Sequence, residues 1–178
     1  MVDDSRLAVK AARGDGRAFE KIVDRYQKTI YNVAYRMVQD EEDAADIAQM
    51  VFIKVHRNLD RYDSDRKFFS WLYRIAVNEC LNHIKRRRHE VVADRDYAVT
   101  RHSPWDDVAR GERSELLEGA LMRLKPEYRV VIVLKYFLEF SYREISDIAG
   151  IPEKTVKSRL FSARQEMRDA LMGLGYRR

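Results

Sequence analysis

The stretch SYREISDIAGIPEKTVKSRLFSAR, from Ser141 to Arg164, constrains this chain more than any other. Ser141 with Glu144 three residues on is a capping box, which marks a helix start. Gly150 punctuates a tight turn, and Pro152 opens a second helix at its first position. Beyond it Val156, Leu160, Ala163 and Met167 recur at helical spacing and make a buried stripe. The opposite side carries Lys154, Lys157, Ser158, Phe161, Ser162 and Gln165. Helix, glycine turn and helix within this compass predict a helix-turn-helix. The second helix is basic and hydroxylated on its outer side, as a helix lying in a DNA groove needs to be. On that reading Lys157, Arg159 and Arg164 pair with phosphates, and Lys154, Ser158 and Ser162 reach base edges. Phe161 either meets a thymine methyl or packs on the preceding helix.

The rest of the chain is read as helical too. Only 7 glycines and 3 prolines occur in 178 residues, and β-branched alternation is nearly absent. Helices are expected over Asp4–Arg13, Gly16–Val38, the acidic start DEEDAAD to about Leu59, Phe68–Arg87, Val108–Arg123 and Glu127–Phe137. The apolar stripe of the second is Phe19, Ile22, Val23, Tyr26, Ile30, Val33, Ala34 and Met37. Periodicity disappears from His89 to Asp107, where charges mix with Ser-Pro, so this segment reads as a linker. Residues 1–90 hold 18 basic and 15 acidic side chains, residues 91–115 hold 4 and 6, and residues 116–178 hold 12 and 8. The two ordered parts are therefore basic and the joint is not, which points both parts toward an acidic partner. The fold class is all-α: two small helical domains, 1–88 and 108–178, joined by a flexible linker over 89–107, with the helix-turn-helix in the second.

A second basic, aromatic stretch, KFFSWLYRIAVNECLNHIKRRR, covers Lys67 to Arg88. Leu72, Ala76, Cys80 and Ile84 lie at i+4 steps and form its buried edge. Trp71, Arg74, Asn78, Asn82 and Lys85 line another face, with an aromatic at one end and the cluster Lys85–Arg88 at the other. A face of that kind suits unpaired bases, which stack on aromatic rings while cations follow the backbone. The loop before it, Tyr62 to Arg66, has the short polar side chains that a pocket for an extruded base uses. The competing reading puts the aromatics in the core. It is preferred for Phe68 and Tyr73, and it stands beside the stacking role for Trp71.

Other classes find less support. One cysteine excludes a disulfide framework and a cysteine-rich zinc site. No apolar run is long enough to span a bilayer, and MVDDSRLAVK has no signal-peptide core, so a cytoplasmic protein without membrane insertion is expected. An enzyme, for instance a nuclease, would have to recruit Asp43, Asp46 and His56 to a metal. Nothing places His56 with the acids, and no phosphate loop or nucleophile constellation appears. Cys80 and His83 have a metal-like spacing but no second pair. No catalytic residue, metal site or cofactor is expected. A stand-alone helix-turn-helix regulator is the remaining alternative, and it predicts a dimer that binds duplex by itself.

Four segments together resemble the extracytoplasmic-function sigma factors, the small two-domain group of the sigma-70 family: AFEKIVDRYQKTIYNVAYRM, DAADIAQMVFIKVHRNL, FFSWLYRIAVNECLNHIKRRR and SYREISDIAGIPEKTVKSRLFSAR. The likeness covers Phe19 to Arg88 and Leu116 to Leu171. It implies a promoter-specificity subunit of RNA polymerase, whose first domain reads and opens the −10 element and whose second reads the −35 element. By this resemblance Asp43, Asp46, Gln49 and Phe52 dock on core RNA polymerase. Acidic side chains suit a basic protein partner better than DNA. The resemblance puts an extruded −10 base at the loop residues Asp63, Ser64, Arg66 and Lys67, and the −10 strand along Trp71, Arg74, Asn78, Asn82, Lys85 and Arg86. It sets Lys157, Ser158, Phe161 and Ser162 on the −35 reading helix. An anti-sigma factor, often membrane-anchored in this family, is the further expected partner.

Overall fold

The computed structural model describes residues 4–91 and 112–175. Among them the chain forms eight α-helices and no strand. The first group comprises α1 (Asp4–Ala12), α2 (Gly16–Val38), α3 (Glu41–Arg57) and α4 (Phe68–Val91), with a 3-10 turn at Leu59–Arg61. The second comprises α5 (Glu112–Arg123), α6 (Pro126–Ile132), α7 (Tyr142–Ala149) and α8 (Glu153–Gly173).

Local chemistry explains most of these boundaries. Asp15 precedes α2, and its carboxylate accepts the Ala18 N–H at 3.1 Å. Asp40 does the same for the Asp43 N–H at 3.0 Å before α3, so each satisfies an amide that the first turn leaves unpaired. The Ser141–Glu144 capping box is fully formed before α7. Gly150 ends α7 in the left-handed conformation at φ 66°, which an L side chain adopts at a cost. A Cβ at that position would meet nothing within 4 Å, so the penalty is conformational alone. Gly150→Ala is expected to lower stability by about 1–2 kcal/mol, read as a shift in the urea midpoint. An unchanged midpoint would mean that the turn relaxes.

Three expected boundaries move. α4 runs on to Val91, past the expected linker start at His89, and the rest of the expected linker lies outside the described residues, as do residues 108–111 of the fifth helix. α8 begins at Glu153 with Pro152 as its cap, one residue later than expected. Its Pro152 carbonyl accepts from the Thr155 and Val156 amides. The helix expected through Phe137 is α-helical only to Ile132 and then widens into a π turn over Val133–Phe137.

The core of the first group is built from Ile22, Ile30 and Met37 of α2, Val51 and Val55 of α3, and Phe68 and Leu72 of α4, all fully buried. Leu121, Val131, Leu134, Ile145 and Ile148 fill the second. The two groups also touch. α4 packs against α7, with Phe140 stacked on Phe69 at 5.3 Å and edge-on to Tyr73 at 5.2 Å. Arg129, buried under α5, donates to the carbonyls of Leu121, Met122 and Leu124, and reaches across to that of Met37 at the end of α2. Burial lowers its pKa to about 10, so it stays charged at neutral pH.

Candidate nucleic-acid and protein interfaces

α8 presents the outer face that its sequence spacing predicts. Val156, Leu160 and Ala163 are buried beneath it, while Lys154, Lys157 and Ser158 are exposed. The Ser158 hydroxyl donates to the Thr155 carbonyl at 3.1 Å, and the Lys157 ammonium lies 5.9 Å from the Tyr142 ring. Phe161 is 60% exposed, which leaves its ring free of the preceding helix. Arg159 and Ser162 are half-buried. Arg164 is exposed but turns toward a groove of about 710 Å³ shared with Leu117, Tyr136, Phe137 and Met172.

On α4, Asn78, Asn82, Lys85 and Arg86 are exposed. The face from Trp71 to Lys85 spans roughly 21 Å at the α-helical rise. Trp71 is half-buried, its ring 5.4 Å from Tyr62 and 5.8 Å from Phe68. Phe68 and Tyr73 lie in the core at 1% and 4% exposure. Cys80 is wholly buried, and burial pushes its thiol up to about 12, so it is inert as a ligand or nucleophile.

The loop residues Asp63, Ser64, Arg66 and Lys67 are exposed on one turn. Lys67 and Arg74 are engaged within the chain. The Lys67 ammonium bonds Glu144 at 2.9 Å, and Arg74 Nε donates to the Asp147 carbonyl at 3.0 Å. A polar cleft separates Arg66 and Trp71 on one wall from Arg143 and Glu144 on the other. Lys67 and Ser141 hold the Glu144 carboxyl below its ordinary range. A carboxylate lowered in the folded state adds stability above its unfolded pKa, and that stability is lost as pH falls through the folded one. Its contribution is therefore whole at neutral pH and fades in acid.

The acidic set on α3 splits. Asp46 and Gln49 are exposed. Asp43 instead takes the Arg87 guanidinium at 2.6 Å and lies 3.0 Å from His83 Nε2, so it ties α3 to α4. Gln49 and half-buried Phe52 border a groove of about 780 Å³ between α2 and α3, lined also by Phe19, Val23, Tyr31 and Ile53. The spacing of α2 assigned Phe19 and Val23 to a plain core stripe, and the α8 stripe did the same for Met167, which lines the second groove. The only hint of exposure was the high apolar density of α3, which leaves Met50 and Ile53 at 42% and 36%. No helix among the described residues is long and apolar enough to cross a membrane.

Comparison with known proteins matches this arrangement end to end. The family model of Sigma-70 region 2 matches residues 22–90, and that of Sigma-70 region 4 matches residues 114–167. The ECF RNA polymerase sigma factor SigW of Bacillus subtilis is 38% identical over 174 residues, covering 91% of this chain and 93% of its own. The RNA polymerase sigma-H factor of Pseudomonas aeruginosa is 34% identical, with 96% and 95% covered. Among solved structures, CnrH in complex with the cytosolic domain of CnrY superimposes with a TM-score of 0.73 at 26% identity, covering 96% of this chain and 98% of that one. With both regions present and in order, and relatives at 34–38% identity over nearly the whole chain, the chain belongs to the sigma-70 family, among its extracytoplasmic-function RNA polymerase sigma factors.

Proposed function

We propose that this chain binds core RNA polymerase and directs it to promoters, with α8 reading −35 duplex and the α4 face with its preceding loop reading −10 single strand. One observation carries the reading: two sigma regions in tandem, each presenting a basic face of different character. The α8 face is cationic and hydroxylated with one exposed ring, as suits a duplex groove. The α4 face joins an aromatic to amides and cations, as suits unpaired bases. The units of the proposal are 1–88 for docking and opening, a linker over 89–107, and 108–178 for upstream recognition. The chain works as a cytoplasmic, non-catalytic subunit, and the phosphoryl-transfer chemistry is the polymerase's own. An anti-sigma partner is part of the proposal: the sigma factor RpoE, of similar fold, was solved in complex with the anti-sigma factor NepR from Bartonella quintana.

Run-off transcription over a promoter library tests this. Specific transcripts are expected only when chain and core enzyme are combined, because each face alone makes few phosphate contacts. Nanomolar, sequence-specific duplex binding by the free chain would instead support the stand-alone regulator.

The docking face has a separate test. Asp46 and Gln49 are the exposed members of the α3 set, so Asp46→Lys with Gln49→Ala is expected to weaken core-enzyme association by about 1.5–5 kcal/mol with the fold intact. Fluorescence anisotropy of labelled chain against core enzyme reads this directly. Unchanged association with impaired DNA binding would move these residues off the polymerase face.

A further inference from the structure

The first helix, α1, lies before the matched region, which begins at residue 22, and the sequence assigns it no task. Yet it is firmly held. Leu7, Ala8 and Ala11 are buried, and Asp4 accepts from the Tyr26 hydroxyl at 2.7 Å and from Arg25. The next residue, Ser5, reaches the Tyr62 hydroxyl at 2.9 Å. Tyr62 stands at the entry of the exposed loop and bonds the Arg66 carbonyl at the far end of it at 2.6 Å.

The proton accounting has one solution. A carbonyl only accepts, so the Tyr62 hydroxyl proton goes to Arg66, and Ser5 must donate to the Tyr62 oxygen. The loop's own bonds shape it without anchoring it. The Asp63 carboxylate accepts the Asp65 N–H at 3.0 Å, and the Arg66 N–H donates to the Asp63 carbonyl at 3.0 Å. The exposed Asp63–Arg66 ion pair at 3.5 Å is screened and weak. Residues 62–66 are anchored by Tyr62, which closes them through its hydroxyl and packs its ring against Phe68 at 5.3 Å and Trp71 at 5.4 Å. Tyr62 thus ties both ends of the stretch carrying Asp63 and Ser64 to the Trp71 ring, while Lys67 holds the following residue to Glu144, and Ser5 ties Tyr62 to α1.

We propose that Tyr62, braced by Ser5 of α1, is the positioning residue that holds the 63–67 loop and Trp71 in register for an extruded promoter base. This rests on the proposed single-strand role of the loop. Tyr62 acts through the loop and Trp71, and α1 is the rigid post against which it is set.

The test uses holoenzyme assembled from core enzyme and full-length chain. It measures affinity for fork-junction promoter DNA with an intact −10 non-template strand, and for the same DNA with an abasic site at each −10 position in turn. The intact-to-abasic ratio reports base capture, and a general loss of structure lowers both affinities without moving it. Tyr62→Phe keeps the ring and removes both bonds. Ser5→Ala removes one, and Ser5→Thr restores a hydroxyl. Ser5→Ala is expected to lower the ratio at one position by about threefold to tenfold, the range for one lost hydrogen bond, Tyr62→Phe to lower it by at least as much, and Ser5→Thr to recover it. A ratio unchanged in both variants, while Trp71→Ala or Asp63→Ala lowers it, overturns the brace and spares the loop. A ratio that no variant moves overturns the loop reading and this inference with it. If Tyr62→Phe fails to fold, the Ser5 pair decides alone.

Discussion

Arg129→Leu is expected to lower the stability of the chain by roughly 3–5 kcal/mol, the scale of leaving two or three buried carbonyls without a donor. The residue is 5% exposed, and its guanidinium serves the carbonyls of Met37, Leu121, Met122 and Leu124. Met37, Leu121 and Met122 sit in the last turns of α2 and α5, and Leu124 just follows, where helix ends leave oxygens without intrahelical donors. A cation there also meets the negative ends of two helix dipoles. Leucine fills the volume but takes the donor from the Met37, Met122 and Leu124 carbonyls, whereas Leu121 keeps the Leu124 N–H at 3.2 Å; each unsatisfied buried acceptor costs about 1–3 kcal/mol. For a chain of this size the melting midpoint then falls by roughly 10 °C. Arg129→Lys keeps the charge with fewer donors and no fork, so its loss is intermediate. Calorimetry on the purified chain checks the order wild type, lysine, leucine. A leucine variant melting within 2 °C of the wild type would show that water or backbone movement satisfies the carbonyls.

On the proposed −10 role, Trp71→Ala is expected to lower the population of open promoter complexes by roughly tenfold to a hundredfold, since a base stacked on an aromatic ring is worth about 1–3 kcal/mol. The same variant leaves upstream duplex capture intact, whereas Lys157→Ala or Ser158→Ala weakens that earlier step. Permanganate footprinting on duplex and pre-melted templates separates the two. Pre-melting supplies the opening energy from outside, so it rescues a loop variant such as Asp63→Ala whose defect is melting. It does not rescue Trp71→Ala if the ring itself grips the base. Because Trp71 also packs on Tyr62 and Phe68, circular dichroism must confirm folding, and Trp71→Phe provides a smaller ring in the same place. A folded Trp71→Ala chain that opens duplex promoters normally returns the ring to a packing role.

What was legible in the sequence was local. The Ser141–Glu144 box, the Gly150 turn and the Val156–Leu160–Ala163 stripe are written within a few residues of where they act, and the structure has each of them. Phe161 was undecided in the sequence because position 161 sits beside the stripe, and only the packed helices show its ring in the open. What was not legible pairs residues far apart. The spacing marks Asp43 as a docking carboxylate but gives no sign of Arg87, which α4 brings to it across 44 positions. Lys67 and Arg74 read as cations of the −10 face, with no sign in the sequence of their bonds to α7. The link from Ser5 to Tyr62 spans 57 positions and leaves no periodic trace. The π turn after Ile132 was missed because a run of buried apolar residues carries no signal for a wider helix.

The contacts that Lys67 and Arg74 make with α7 have a consequence for any measured affinity. On the assignment proposed above, Glu144 and the Asp147 carbonyl compete with a DNA strand for the donors of these two cations, so chains with α7 in place are less competent than chains without it. The apparent dissociation constant for −10 strand is then the intrinsic one divided by the competent fraction. Whatever draws α7 away tightens DNA binding by the same factor with which DNA favours its departure. The Lys67–Glu144 bond is solvent-exposed, with the lysine side chain 66% accessible, and salt screens such a bond. Added salt therefore raises the competent fraction while it weakens each phosphate contact, and the net salt slope of the free chain is shallower than its count of DNA-facing cations would give.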